Sequence, residues 1–334
     1  MLDRELVEAV KLAREAGQIL LRIYATDFDV QEKRGEGDRK DPVTEADRLA
    51  NDLLVRRLRE AFPNDGVVAE ETEDKSDARR RGRCWYVDPL DGTKEFIAKN
   101  GEFSVMIGLA IDGEARLGVV YKPVGDRLYR GVIGDSAFVD VGDRTFALKV
   151  SDVTKPADLR LVVSRSHRDP LIGELVDTLG IKDERLSGSV GLKIGLIAER
   201  EADLYVHLSH HSSAWDACAP EAVLRAAGGR FVDLSGSAFE YGGEDMANRR
   251  GILAANRQET LDAVLPAVIA VARKKGLVPN ADTAEPADDG APTEERSIEP
   301  ASDELTPREA LSLDSPPGAR TTKRLRRKDF DGEE

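Results

Sequence analysis

Cysteine is almost absent from this 334-residue chain: Cys84 and Cys218 are the only two and form no CxxC pair, which excludes a disulfide framework and a cysteine-based zinc site. Aromatic residues are also few, at 5%, so the core must be built mainly from Leu, Val, Ile and Ala. No run approaches the roughly 20 apolar residues that cross a bilayer. The opening Met1-Leu2-Asp3-Arg4-Glu5-Leu6 lacks the apolar stretch of a secretory signal. The expectation from these absences is a soluble protein of a reducing compartment, the cytoplasm. Positive charge is in deficit as well, with 49 Lys and Arg against 63 Asp and Glu and a net charge of −14. That balance argues against a broad nucleic-acid surface, and it obliges any small polyanionic substrate to be met by metal ions or by a local basic pocket.

What is present points to two lobes and a tail. Hydrophobic residues make up 40% of the chain and charged residues 34%, a globular composition at a length suited to two packed lobes. Leu2, Leu6, Val10, Ala13, Gly17, Leu20 and Tyr24 recur at three- and four-residue spacing and predict an amphipathic N-terminal helix. A second helix is expected over 45–60, capped by Thr44, with Leu49, Leu53 and Leu54 turned inward. β-rich runs at 103–107, 118–121 and 137–139, separated by Asp112-Gly113, Gly125-Asp126 and Gly134-Asp135, predict an antiparallel meander. Strands over 159–164, 203–206 and 251–254 then alternate with helices over 169–179, 192–199 and 217–227. The expected division is an N-terminal lobe over 1–155, a second lobe over 156–280, and a tail over 281–334. That tail holds 15 acidic and 8 basic residues and six prolines, and is expected to be disordered. Its basic cluster, Lys323-Arg324-Leu325-Arg326-Arg327-Lys328, reads as a solvated charge run, or as a contact for a membrane, a nucleic acid or the acidic body of the chain.

Four acidic segments stand at the ends of expected elements: Asp41-Pro42-Val43-Thr44-Glu45-Ala46-Asp47, Ala69-Glu70-Glu71-Thr72-Glu73, Asp88-Pro89-Leu90-Asp91-Gly92-Thr93-Lys94-Glu95-Phe96 and Trp215-Asp216. In the third, a buried strand ends at Asp88 and the chain turns sharply into a helix starting near Thr93. Asp88 and Asp91 would crowd together and repel unless a cation lay between them, and a hard ion such as Mg²⁺ suits an all-oxygen pair. The backbone N–H groups of Gly92 and Thr93 would lie free to bind a phosphate. Each segment also has a plain structural reading: Asp-Pro-Leu-Asp-Gly is turn chemistry, and Asp41, Asp47 and Asp216 sit where helix caps sit. Their conjunction favours metal-assisted phosphoryl chemistry.

Asp88-Pro89-Leu90-Asp91-Gly92-Thr93, with Glu70-Glu71 upstream and Trp215-Asp216 downstream, resembles the lithium-sensitive, magnesium-dependent sugar-phosphatase superfamily over residues 1–256. That group contains inositol monophosphatases, fructose-1,6-bisphosphatases and bisphosphate nucleotidases. Lys94-Glu95-Phe96, Asn100-Gly101-Glu102-Phe103-Ser104-Val105, Ser164-Arg165-Ser166-His167 and Gly191-Leu192-Lys193 are most similar to the 3'(2'),5'-bisphosphate nucleotidases. The resemblance implies an α+β fold layered αβαβα, built from two α/β lobes. It implies removal of the 3'-phosphate of adenosine 3',5'-bisphosphate, giving AMP and phosphate, in sulfur metabolism or nucleotide salvage. By motif, Glu70, Asp88, the Leu90 carbonyl, Asp91 and Asp216 would hold two or three Mg²⁺ ions, and Asp47 with Thr93 would orient and deprotonate the attacking water. Substrate would meet Glu70, Leu90, Asp91, Gly92, Thr93, Ser164, His167, Ser189, Lys193 and Asp216.

The chain departs from many bacterial members at Ser189-Val190-Gly191-Leu192-Lys193 and at Val206-His207, where an Arg is usual, so the basic anchor for substrate is altered. Trp215-Asp216-Ala217-Cys218-Ala219-Pro220-Glu221 instead resembles the animal-type nucleotidases. His207, His210 and His211 put three imidazoles within five residues and read either as a polar loop or as a metal or phosphate contact. Cys218 reads as a buried small side chain. An inositol or sugar phosphatase using the same metals and a catalytically silent binding protein are the two rival functions. The expected partner is a small phosphorylated substrate, with monomer and homodimer equally open.

Overall fold

The computed structural model describes residues 2–34, 40–72, 82–166, 168–243 and 246–279; His167 and the whole of the tail expected to be disordered lie outside them. In the first half the elements are α1 (Asp3–Tyr24), β1 (Val30–Arg34), β2 (Lys40–Thr44), α2 (Glu45–Ala61), β3 (Gly66–Ala69), β4 (Arg83–Asp91), α3 (Thr93–Ile97) and β5 (Ser104–Ile111). The meander continues through β6 (Glu114–Lys122), β7 (Arg127–Val132), β8 (Ala137–Val141) and β9 (Arg144–Ala147). The second half comprises β10 (Arg160–Ser164), α4 (Leu171–Leu179), β11 (Asp183–Ser187), α5 (Val190–Ala198), β12 (Leu204–His207) and β13 (Ser212–Ser213). It closes with α6 (Ala214–Ala226), β14 (Arg230–Val232), β15 (Ala247–Asn248), β16 (Ile252–Ala255) and α7 (Gln258–Lys274).

Strands β3 to β9 form one seven-stranded sheet in sequence order, antiparallel except where β3 runs parallel to β4. A second sheet has the order β11-β10-β12-β16-β14, with β11, β10 and β12 parallel and β16 antiparallel to both its neighbours. Three hydrophobic clusters fill the spaces between layers. Leu12, Leu20, Leu54 and Leu58 of α1 and α2 pack on Trp85, Ile107 and Val119 at one face of the larger sheet. The opposite face, with Tyr86, Met106 and Val120, meets α5 and α6, which also cover Val162, Tyr205 and Ile252 of the smaller sheet. Leu175 of α4 and Val264 and Val268 of α7 close the far side of that sheet. The result is the expected α+β αβαβα layering, because each sheet has two apolar faces and each must be covered by helices.

Helix α6 reaches its place over a stripe of glycine. Gly108, Gly118 and Gly131 are cross-strand partners on β5, β6 and β7. A Cβ at Gly118 would stand 2.1 Å from the Ala219 carbonyl oxygen, and one at Gly131 2.9 Å from Val223 Cα. Only hydrogen side chains let the α6 backbone lie against the sheet, and this contact sets where the N-terminal turn of α6, with Asp216, emerges.

Several expectations shift at element ends. Leu49 is 43% exposed rather than turned inward, since it falls on the α2 face opposite Leu54. The helix expected from 217 begins at Ala214, so Asp216 lies inside its first turn. Strand β4 continues to Asp91 instead of stopping at Asp88, with a register shift against β5 between those residues. The sequence pattern does not mark strands β1, β2, β3, β7, β9, β11, β13, β14 and β15 or helix α7. The edge strand β11, Asp-Glu-Arg-Leu-Ser, is mostly exposed and lacks apolar alternation. Helix α7 contains Pro266, a residue type that disfavours a helix interior.

Candidate active site

The acidic segments converge where β4, α2, α5, α6 and β12 meet. Thr44 caps α2: its Oγ1 accepts from Ala46 N at 3.1 Å, while its N and Oγ1 donate to Asp47 Oδ2 at 2.7 and 2.6 Å. This capping box fixes one oxygen of Asp47 and leaves Oδ1 to accept from Thr93 Oγ1 at 3.3 Å. The Thr93 hydroxyl lies equally close, 3.3 Å, to the Leu90 carbonyl. Burial pushes Asp47 up to about 7 against the opposing Thr44 hydrogen bond, and the nearby Glu70 and Glu71 charges add to the rise.

Beyond the bulge in β4, Leu90 N donates to Asp88 Oδ1 at 2.9 Å, so the Asp-Pro-Leu-Asp turn is pinned by its own first carboxylate. Asp88 is buried, and burial, then the charges of Glu70, Asp91 and Asp216, drive its pKa well above the carboxylate range. Asp91 is buried too, and burial raises it against the pull of Lys193 and of hydrogen bonds from Ser189 Oγ at 2.5 Å and Gly191 N at 2.9 Å. Asp216 is the third residue of α6 and accepts from Ser213 N at 2.6 Å in a second capping box. Gly92, in the left-handed region at φ 96°, turns the chain from β4 into the single-turn α3, which Phe96 anchors against Phe103 at 4.9 Å between ring centres.

A cleft of about 180 Å³ opens over these groups, with Glu70, Asp91, Gly92, Thr93, Ser164 and Ser189 in its walls. Lys193, Tyr205 and His207 line it as well. Lys193 is 3% exposed; its Nζ donates to the Ser189 carbonyl at 2.8 Å and stands 5.2 Å from the centre of the Tyr205 ring. Burial lowers its pKa, against the pull of Asp91 and Glu95. Two roomier hollows, about 550 and 700 Å³, lie away from this constellation of carboxylates. His207 reaches the cleft and stacks toward Tyr205 at 6.2 Å; His210 and His211 pair with each other at 3.9 Å between ring centres and are not in its walls. Cys84 and Cys218 are buried and form no disulfide, and burial pushes the Cys218 thiol up, away from nucleophile chemistry.

Against the expected set, the structure brings Asp47, Glu70, Asp88, Leu90, Asp91, Gly92 and Thr93 to one place, with Ser164 at the end of β10, Ser189 and Lys193 at the start of α5, and Asp216 in electrostatic contact. Sequence reasoning did not single out Ser104, whose Oγ lies 3.0 Å from Ser189 Oγ, nor Glu95, 4% exposed, which accepts from Ser166 Oγ at 2.6 Å. Both lie inside quoted motif runs, but neither residue type advertises the contact it makes.

The sequence profile of the inositol monophosphatase family matches residues 1–272. The chain belongs to the inositol monophosphatase family. The 3'(2'),5'-bisphosphate nucleotidase CysQ of Salmonella typhimurium is 37% identical over 239 residues, covering 71% of this chain and 93% of the relative. Human inositol monophosphatase 2 is 32% identical over 251 residues, covering 70% of this chain and 81% of that one. Among solved structures, CysQ from Bacteroides thetaiotaomicron superposes with a TM-score of 0.63 at 32% identity, over 76% of this chain and 98% of the other. The family is one of Mg²⁺-dependent phosphatases.

The donors here suit that ion in kind: carboxylates and a carbonyl, without sulfur, and crowded enough that mutual repulsion and burial raise Asp88 and Asp91. Among the described residues, however, no group of three or more Asp, Glu, His and Cys is already arranged to hold a metal ion. One oxygen of Asp91 is turned to Ser189 and Gly191, and one of Asp216 to Ser213 N. No helix among the described residues is long and apolar enough to cross a membrane.

Proposed function

We propose that this chain is a Mg²⁺-dependent phosphomonoesterase that removes the 3'-phosphate of adenosine 3',5'-bisphosphate, giving AMP and inorganic phosphate. The observation that carries the chemistry is the pair of buried Asp47 and half-buried Thr93 at 3.3 Å, opening on a carboxylate-walled cleft. The substrate class follows from the similarity to 3'(2'),5'-bisphosphate nucleotidases over 93% of a relative's length.

Glu70, Asp88, the Leu90 carbonyl, Asp91 and Asp216 would hold two or three Mg²⁺ ions. When bound, Mg²⁺ supplies positive charge that offsets the phosphate's own and makes water a better nucleophile near neutral pH. Thr93, between Asp47 Oδ1 and the Leu90 carbonyl, orients the attacking water. Asp47 takes its proton: Thr44 holds Oδ2 in place, and a pKa near 7 suits a base at neutral pH. The water oxygen bonds to phosphorus as the P–O3' bond breaks in line, the leaving oxygen gains a proton, and no protein ester forms. Glu70, Leu90, Asp91, Gly92, Thr93 and Asp216 surround the reacting phosphate. Ser164, His167, Ser189 and Lys193 serve the rest of the substrate, with Lys193 supplying a buried positive charge for the second phosphate or the ribose.

The test is kcat/KM with Mg²⁺ on adenosine 3',5'-bisphosphate, inositol 1-phosphate and fructose 1,6-bisphosphate, side by side. A nucleotide preference of a hundredfold or more, about 2.7 kcal/mol of transition-state discrimination, is expected. A preference for either rival would keep the chemistry and overturn the substrate. No phosphate release from any ester by protein that binds Mg²⁺ would favour a silent binding protein.

A further inference from the structure

Ser189 sits at φ 55°, ψ 132°, a strained region that residues with a side chain rarely occupy. Such a conformation persists only where its surroundings over-determine it, and here they do. Its Oγ donates to Asp91 Oδ2 at 2.5 Å, accepts from Leu192 N at 3.0 Å as the cap of α5, and lies 3.0 Å from Ser104 Oγ. Its carbonyl accepts from Lys193 Nζ at 2.8 Å. The segment entering Ser189 is held from the other sheet. Glu102, just before β5, accepts from Gly188 N through Oε2 at 2.7 Å. The same carboxylate takes a two-pronged ion pair from Arg165, Nε at 2.8 Å and Nη2 at 2.7 Å, and Arg165 Nη2 also reaches the Leu186 carbonyl at 3.1 Å. Gly188 has no room for a side chain, since a Cβ there would stand 2.4 Å from Glu95 Cγ and 2.6 Å from the Glu102 carbonyl oxygen.

We propose that Glu102 is a positioning residue for the catalytic carboxylate Asp91: by tying Arg165 and Gly188 N to the rim of the seven-stranded sheet, it locks the strained Ser189, whose hydroxyl sets the orientation of Asp91. Gly188 and Ser189 follow directly on the edge strand β11, whose last residues Leu186 and Ser187 pair with Val163 and Ser164 of β10, next to Arg165. The Arg165–Glu102 pair is also a link between the two sheets, and both residues line the separate hollow of about 700 Å³. Asp91 comes from the larger sheet, and the hydroxyl that orients it comes from the smaller; Glu102 fixes one against the other.

The inference rests on Asp91 belonging to the Mg²⁺-binding set, and the test separates the two. Mg²⁺ binding is measured by isothermal titration calorimetry on the full chain, wild type and the variants Glu102→Ala, Glu102→Gln, Ser189→Ala, the double variant and Asp91→Asn, with kcat, KM and melting temperature alongside. The expected result is Mg²⁺ affinity weakened about tenfold and kcat lowered in Glu102→Ala, with KM within about twofold and the cooperative melt kept. Glu102→Gln, whose amide oxygen still accepts from Gly188 N, should recover a large part of the loss. In the Ser189→Ala background the Glu102 change should add little, because both act on Asp91 by one route. Effects that multiply in the double variant would overturn the proposal, as would wild-type Mg²⁺ affinity in Glu102→Ala while Asp91→Asn loses it. Unchanged binding in Asp91→Asn would instead remove the assignment of Asp91 to the metal set. Should Glu102→Ala fail to fold, Arg165→Ala carries the same comparison, and wild-type Mg²⁺ affinity in it would refute the proposal.

Discussion

Asp47→Asn isolates the proposed base from the scaffold that carries it. The amide oxygen can take the place of Oδ2 and keep both hydrogen bonds from Thr44, at 2.7 and 2.6 Å, so the cap of α2 survives. The amide NH₂ then faces Thr93 in place of Oδ1, and the Thr93 hydroxyl is left to donate to the Leu90 carbonyl, already 3.3 Å away. What is lost is the ability to accept a proton. Positioned general bases contribute on the order of 10²- to 10⁴-fold. At about 1.36 kcal/mol per decade, the barrier should rise by about 2.7 to 5.4 kcal/mol. Stability should not fall with it, because Asp47 is 1% exposed beside the charges of Glu70 and Glu71, and a neutral amide escapes both the burial and the repulsion that raise its pKa. The assay is kcat at saturating Mg²⁺ and substrate from pH 5.5 to 9, with melting temperature and Mg²⁺ affinity on the same preparation. The variant should lose the part of the pH–rate profile that rises as Asp47 deprotonates, and keep its melt and its metal. A kcat within about threefold of wild type, or an unaltered acid limb at reduced rate, would refute the role of Asp47 as base.

Three further outcomes follow from the same geometry. Burial raises Asp47 to about 7 and raises Asp88 and Asp91, so in metal-free protein their stabilising contribution is full below the ordinary carboxylate range and is lost as pH rises toward the folded values. Mg²⁺ needs the deprotonated forms, and the gain in melting temperature on adding Mg²⁺ after chelation should be larger at pH 8 than at pH 5.5; an equal gain would be evidence against binding at these carboxylates. Gly118→Ala would press a methyl group within 2.1 Å of the Ala219 carbonyl oxygen, and should cost about 1–3 kcal/mol or more in denaturant unfolding while displacing the turn that bears Asp216; wild-type stability would mean that α6 does not rest on the glycine stripe. Removal of residues 281–334 should leave kcat/KM and melting temperature nearly unchanged, since a segment with 15 acidic and 8 basic residues and six prolines has little to add to an apolar core; a large loss of either would show that the tail packs or participates.

The sequence by itself determined the chemistry and the layers. Asp88-Pro89-Leu90-Asp91-Gly92-Thr93 is a local device, in which the bulge, the Asp88 contact to Leu90 N and the left-handed Gly92 lie within a few residues and follow from turn physics. Thr44 and Asp47 are three apart at a helix start, and their bond is equally local. Apolar spacing likewise marked α1, α2 and the meander, because periodicity records which face is buried. Only the tertiary structure decided how the second lobe meets these groups. Glycines 108, 118 and 131 carry no joint pattern in the sequence, and their shared purpose exists only once three strands align and α6 lies across them. Ser189 and Asp91 are 98 residues apart and Gly188 and Glu102 86 apart, and neither pair carries a local pattern. Burial in the assembled core, with carboxylates from different elements forced together, is what pushes Asp47 and Asp88 upward; no property of either residue in the unfolded chain contains that shift.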